Sequence, residues 1–118
     1  MITPIDLDRD NLDIYPDFSI TRRFRKSGPP ERVAGMTLGY IDTDTDAPHN
    51  GEVHPDGDEI LLVISGKIQV TCDSHAKPLI LGPRQACIIP RGEWHKVIVL
   101  ERSQFIHITP GPRGEYRL

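Results

Sequence analysis

Apolar positions fall in short runs, most of which alternate with polar residues at a period of two, as expected for strands with one buried face. In KIQVTC, residues 67–72, Ile68, Val70 and Cys72 point one way while Lys67, Gln69 and Thr71 point the other. That strand has a dry face and a wet one. EILLVIS, residues 59–65, differs: after Glu59, Leu61 and Val63 make one face apolar and Ile60, Leu62 and Ile64 make the other apolar as well. Its outer face calls for a cover, and a second copy of the chain packed sheet to sheet is the expected one. Further strands are predicted at 19–25, 31–41, 50–54, 77–82, 85–90, 95–100 and 103–109, with Ala34, Met36, Leu38 and Tyr40 sharing a face. Eleven prolines and ten glycines interrupt these runs and leave pieces too short for ordinary helices. The pattern predicts an all-β sandwich or small barrel.

A chain of 118 residues fits one domain with a single core, 1–118, in which residues 1–30 form an N-terminal extension or edge strands. The polar segment 42–50, DTDTDAPHN, reads as a surface loop and lacks the spacing of a calcium loop. Fourteen basic against seventeen acidic side chains, with no long block of either sign, argue against a nucleic-acid surface. The nearest basic cluster is RRFRK at 22–26. It reads as a charged edge strand protected from self-pairing, or else Arg22, Arg23 or Arg25 clamps a substrate carboxylate. Cys72 and Cys87 sit in apolar surroundings and read as free, buried thiols of a reducing compartment. The acidic N-terminus has no apolar centre, and no run approaches the roughly 18 apolar residues of a membrane span, so the expectation is a cytoplasmic protein. Neither a phosphate-cradling loop after Gly51 nor a nucleophile elbow before Gly66 is present, so nucleotide cofactors and covalent hydrolysis are not expected.

The chemistry concentrates in EVHPDGDE, 52–59, and PRGEWH, 90–95. Glu52 and His54 are two apart, so both can point inward from one strand. Glu59 heads the apolar row of Leu61 and Val63, where a carboxylate needs a partner or a bound ion. His95 likewise heads the row of Val97 and Val99. Each alone reads as an ion-paired glutamate or a hydrogen-bonded core histidine. Together, convergent nitrogen and oxygen donors on strands are what a divalent transition ion requires.

These residues also carry a resemblance. EVHPDGDEILLVISG, 52–66, resembles the first cupin motif, with its second histidine at His54, its glutamate at Glu59 and its glycine at Gly66; GPRQACIIPRGEWH, 82–95, resembles the second, with Pro90, Gly92 and the metal-binding histidine at His95. The likeness to the RmlC-like cupin superfamily spans roughly 34–109. It implies a double-stranded β-helix, or jelly-roll, barrel, commonly a dimer, and a divalent Fe, Mn, Ni or Zn ion held by Glu52, His54, Glu59 and His95. The family's first histidine falls on Glu52, and the asparagine that often closes its second motif falls on Val99. Glu52 is therefore either a fourth ligand or a general base beside a 2-His-1-carboxylate set.

The resemblance implies a metal-dependent enzyme whose small organic substrate binds the ion through two atoms, a dioxygenase in the first instance. A non-oxidative lyase, isomerase or cyclase, or a binding module without catalysis, are the alternatives. His107 shares its parity with Phe105 and reads as a plain core histidine or as a proton carrier beside Glu52. His49 reads as a surface histidine, free to swing inward from its loop, and Trp94 faces away from His95. Met36, Leu38, Tyr40, Phe105 and Ile88 are the expected pocket wall. Gly66 is expected to turn the chain between two strands, and 90–92 to present His95.

Overall fold

The computed structural model describes residues 1–118, Ala76 by its backbone alone. Nine strands and, among the described residues, no helix make up the fold: β1 Asp10–Ile14, β2 Ile20–Phe24, β3 Gly35–Thr43, β4 Glu52–Val53, β5 Glu59–Cys72, β6 His75–Leu81, β7 Ala86–Ile89, β8 His95–Gly111 and β9 Glu115–Tyr116. The hydrogen-bonded order is β2-β1-β3-β8-β4-β9, with β5 pairing β6, β7 and β8. This is an all-β barrel of antiparallel strands, as the alternation and the proline and glycine breaks predict. The long strands β5 and β8 serve both of its layers. The start of β5 pairs with residues 105–108 of β8 beside β3 and β7, whereas 67–72 pairs with 95–101 beside β4 and β6.

The change of layer explains a departure from the sequence pattern. Gly66 does not turn the chain back; it lies in a bulge inside one continuous strand, so the predicted strands 59–65 and 67–72 are a single β5. Its φ is +88°, and a Cβ there would lie 2.3 Å from the Arg102 carbonyl oxygen. A bulge bends and twists a strand without ending it. The fully buried Ser103 hydroxyl accepts from the Lys67 backbone N–H at 2.9 Å across the bend. The predicted strands 95–100 and 103–109 merge into β8 in the same way.

The alternating rows place the core. Ile41, Phe105 and Val63 stand abreast on β3, β8 and β5, and the next row holds Gly39, His107, Leu61 and Cys87. Leu61, Val63, Ile68, Val70, Leu81, Ile89 and Phe105 form the buried cluster. The inward row of β3 is thus Thr37, Gly39 and Ile41. Met36, Leu38 and Tyr40, expected as pocket wall, lie on the outer face, as does Ile88, which is 69% exposed. Both rows of β3 look apolar in sequence, and only the small residues of the inner one leave room for what faces them.

The outer face carries an unbroken apolar row, Leu12, Leu38, Ile108, Ile60 and Ile88, across five strands. β1 is absent from the sequence reading because its buried positions are Asp10 and Asp13 rather than apolar residues. Asp13 accepts two bonds from the Arg23 guanidinium, at 2.8 and 2.9 Å, and one from the Thr37 hydroxyl at 2.9 Å. Arg23 therefore secures the β1–β2 hairpin and is not a substrate clamp. Cys72 and Cys87 are free thiols, and burial pushes Cys87 up to about 11.

Candidate metal centre

Two turns bring the chemistry together. Glu52 lies on β4, directly opposite His95 of β8 and Tyr116 of β9. His54 follows β4, a turn at 55–58 reverses the chain, and Glu59 opens β5. The turn before His95 is bonded to this one: the Gly92 N–H donates to the His54 carbonyl at 3.1 Å, and the Arg91 N–H donates to Asp58 Oδ1 at 2.8 Å. Gly92 takes a φ of +76°, a left-handed conformation suited to glycine.

Glu52, His54, Glu59 and His95 each offer a donor atom to a group whose members all lie within 4.8 Å of one another. His95 Nε2 is 3.0 Å from Glu59 Oε1 and 3.6 Å from Glu52 Oε1; His54 Nε2 is 3.3 Å from Glu52 Oε1 and 3.4 Å from Glu59 Oε2. The imidazole centroids are 5.3 Å apart. His54, Glu59 and His95 are 5%, 2% and 1% exposed, while Glu52 is half-buried.

His95 Nδ1 is 3.0 Å from the Glu93 carbonyl, to which it donates, so Nε2 is the atom directed at the carboxylates. That Nε2 is buried and, for all its proximity to two glutamates, makes no well-angled hydrogen bond to either. Without an ion, burial works against the His95 charge, but the Glu52 and Glu59 carboxylates prevail and raise it to about 10. For Glu52, burial acts to raise the pKa, and the contacts from His54 and His95 outweigh it to hold the carboxyl well below its usual range. A donor set of two imidazoles and two carboxylates around an unsatisfied ring nitrogen fits a divalent transition ion.

Glu59 is further fixed from behind. Its Oε2 accepts from the Thr109 hydroxyl at 2.5 Å, and Thr109 Oγ1 accepts from His107 Nδ1 at 2.8 Å. His107 therefore reaches the donor group through Thr109 and does not touch it. Burial first, then the Arg32 charge, brings His107 down to about 4, so it stays neutral at ordinary pH. Gly39 makes room: a Cβ there would lie 2.3 Å from His107 Nε2.

Three residues take parts that the sequence reading did not assign. Thr109 shares the inward parity of His107, a signal available in the alternation but overshadowed by the histidine. His49 is not a plain surface residue: its Nδ1 accepts from the Gly51 N–H at 3.1 Å and its Nε2 lies 3.5 Å from Glu52 Oε2. Arg32 falls inside the strand predicted at 31–41, on the row of Ala34, Met36, Leu38 and Tyr40, but β3 begins only at Gly35, so that parity does not extend to it. Arg22 and Arg25 instead donate to the Pro4 and Leu7 carbonyls, at 3.4 and 3.2 Å. Trp94 lies under the Arg117 guanidinium, 4.7 Å from its ring centroid. A cleft of about 300 Å³ opens between β6 and β7, lined among others by Val70, Cys72, Leu79 and Cys87. Cys72 is the cross-strand neighbour of His95.

A family model described as "Cupin domain" matches residues 43–109. Among curated proteins, none matches the chain by sequence. Among solved structures, the chain is similar to Bacillus subtilis oxalate decarboxylase, a protein with Mn(II) centres, at 20% identity and a TM-score of 0.58 over 69% of this chain and 23% of the other. It thus spans under a quarter of that protein's length. A cupin-2 domain containing protein from Shewanella frigidimarina NCIMB 400 aligns at 21% identity and a TM-score of 0.55, over 75% of this chain and 85% of that one. A putative mannose-6-phosphate isomerase from Ralstonia eutropha JMP134 aligns at 18% and 0.55, over 65% and 75%.

Proposed function

The chain belongs to the cupin-domain family, and from that premise we propose that it is a metal-dependent enzyme acting on a small organic substrate, in the first reading a dioxygenase. The observation that carries the proposal is the convergence of Glu52, His54, Glu59 and His95 donor atoms within 4.8 Å around the unsatisfied, buried Nε2 of His95. A bound Fe, Mn, Ni or Zn ion supplies Lewis acidity toward a chelating substrate. The chain supplies the rest. Glu93 holds the His95 ring through Nδ1, and Thr109 holds Glu59. Glu52 is the most exposed of the four and faces His49, His54 and His95, a position suited to taking a proton from an incoming substrate.

A second reading, non-oxidative lyase or isomerase chemistry, is favoured by the similarity to oxalate decarboxylase and to the putative mannose-6-phosphate isomerase. Turnover of a panel of small keto acids and diketones with and without air separates the two. A requirement for dioxygen supports oxygenation, and unchanged anaerobic turnover supports the second reading. The role of Glu52 is tested by metal content: E59A is expected to lose more bound metal than E52Q, because Glu59 is buried and oriented by Thr109. Equal loss would make Glu52 a full ligand.

The apolar outer face supports a homodimer as the working form. Leu62, Ile64 and Ile88 are 40%, 44% and 69% exposed on a face that carries an apolar row five strands wide. Sedimentation of L62E/I88E against the natural chain tests this, a shift from dimer to monomer being expected.

A further inference from the structure

Arg32 is a cation near the donor group for which the chain provides no counterpart. It sits just before β3, packed over Gly111: a Cβ on that glycine would lie 2.5 Å from the Arg32 Cβ. Its Nη1 is buried and has no hydrogen-bond partner. Gly111 continues the inward row of His107 and Thr109 on β8, so Arg32 lies over the row whose Thr109 holds Glu59. In keeping with this place, the Glu52 and Glu59 charges reach Arg32 and its own charge reaches His107. Asp13, the other carboxylate whose charge reaches it, is already engaged by Arg23 and Thr37. Burial draws Arg32 below its ordinary pKa, yet a guanidinium remains charged.

Leaving a buried guanidinium nitrogen unpaired is unfavourable, and the charges around it say what would complete it. The carboxylates of Glu52 and Glu59 balance the two charges of a divalent ion, and the imidazoles add none. Arg32, itself only half-buried, then leaves one positive charge over the inward row of β8. A planar guanidinium matches a carboxylate through paired hydrogen bonds.

We propose that Arg32 is the anion-recognition residue of this interior and that the substrate is a small monocarboxylate, held by its carboxylate at Arg32 and by a second oxygen at the metal centre. The inference rests on the metal-enzyme reading above and narrows its substrate class. Arg32 replaces Arg22, Arg23 and Arg25 in the role of clamp.

Calorimetric titration of the full chain loaded with Mn(II) tests it, with pyruvate as the probe and butane-2,3-dione as its uncharged counterpart of similar shape. The natural chain is expected to bind pyruvate at least about 10-fold more tightly than the dione, the scale of a charge-assisted contact. R32Q is expected to weaken pyruvate by about 10- to 100-fold while leaving the dione within about twofold and Mn(II) binding no weaker. R32K, which keeps the charge without the fork, is expected to fall between. Equal pyruvate binding in R32Q and the natural chain, with Mn(II) retained, overturns the proposal; so does a natural chain that does not prefer pyruvate. Should R32Q fail to fold, R32K decides: undiminished pyruvate affinity contradicts the paired contact, and at least about fivefold weakening supports it. Failure of the natural chain to take up Mn(II), Fe(II), Ni(II) or Zn(II) sinks the metal-enzyme reading by itself. The same titration of the ion-free protein then judges Arg32 alone: pyruvate binding lost in R32Q supports it, and no binding to either overturns it.

Discussion

The two ends of β8 each carry an inward-facing histidine, and the two behave in opposite ways. His95, at the start of the strand, is 1% exposed and faces two carboxylates, which raise it to about 10. His107, twelve residues on by its number, faces a threonine hydroxyl, a glycine and the charge of Arg32, and drops to about 4. Burial pushes both downward; what separates them is direct contact with the Glu52 and Glu59 carboxylates, which His95 has and His107 lacks, together with the opposing Arg32 charge at His107. The lesson is that inward parity makes a histidine a candidate, and its cross-strand neighbours decide between ligand and support.

The comparison breaks most severely where the metal is concerned. H95A is expected to weaken metal binding by more than about 100-fold, whereas H107Q, remote by one hydroxyl, is expected to lose no more than about 10-fold. Titration with Mn(II) or Zn(II) measures both, and similar losses would abolish the distinction between the two ends.

Acid stability sharpens it next. An imidazole whose pKa is lowered by folding binds protons more readily in the unfolded chain, so the stability tied to His107 is complete above about pH 6.5 and falls as the pH drops toward 4. The full difference amounts to about 3 kcal/mol. His95 has the opposite sign in the ion-free protein: its contribution is complete below about pH 6.5 and is lost as the pH rises toward 10. Denaturant unfolding of ion-free H107Q should show a flatter stability profile between pH 6.5 and 4.5 with the alkaline limb unchanged. A parallel acid limb in H107Q and the natural chain would contradict the assignment.

The smallest effect joins the two ends. Thr109→Val removes the hydroxyl that bonds Glu59 and His107, leaving two buried groups without their partner, and is expected to cost about 1–3 kcal/mol. T109S should restore most of this in the same unfolding measurement. Indifference to T109V would mean that the relay through Thr109 has no energetic weight.

Glu52, His54, Glu59 and His95 were legible in the sequence because each stands at or beside the end of a strand, where parity and motif spacing agree. The two bonded turns then require only that the strands close into a barrel. The apolar inner rows of β5 and β8 were legible for the same reason. The layer change at Gly66 was not, since a glycine between two apolar runs reads equally as a turn or a bulge until the ladder of Ser103 and Lys67 is known. Nor was β1, whose buried aspartates mimic a loop until Arg23 and Thr37 are placed beside Asp13. Cross-strand register, which local alternation does not contain, put Gly39 rather than Leu38 opposite His107.

Metal content of the untagged natural chain and of H54A/H95A, measured by elemental analysis alongside circular dichroism, tests the central claim most directly. Close to one divalent transition ion per natural chain and almost none in the variant are expected, with the β spectrum of both intact. A natural chain free of metal after exposure to Fe, Mn, Ni and Zn, or a folded variant that retains it, would contradict that claim.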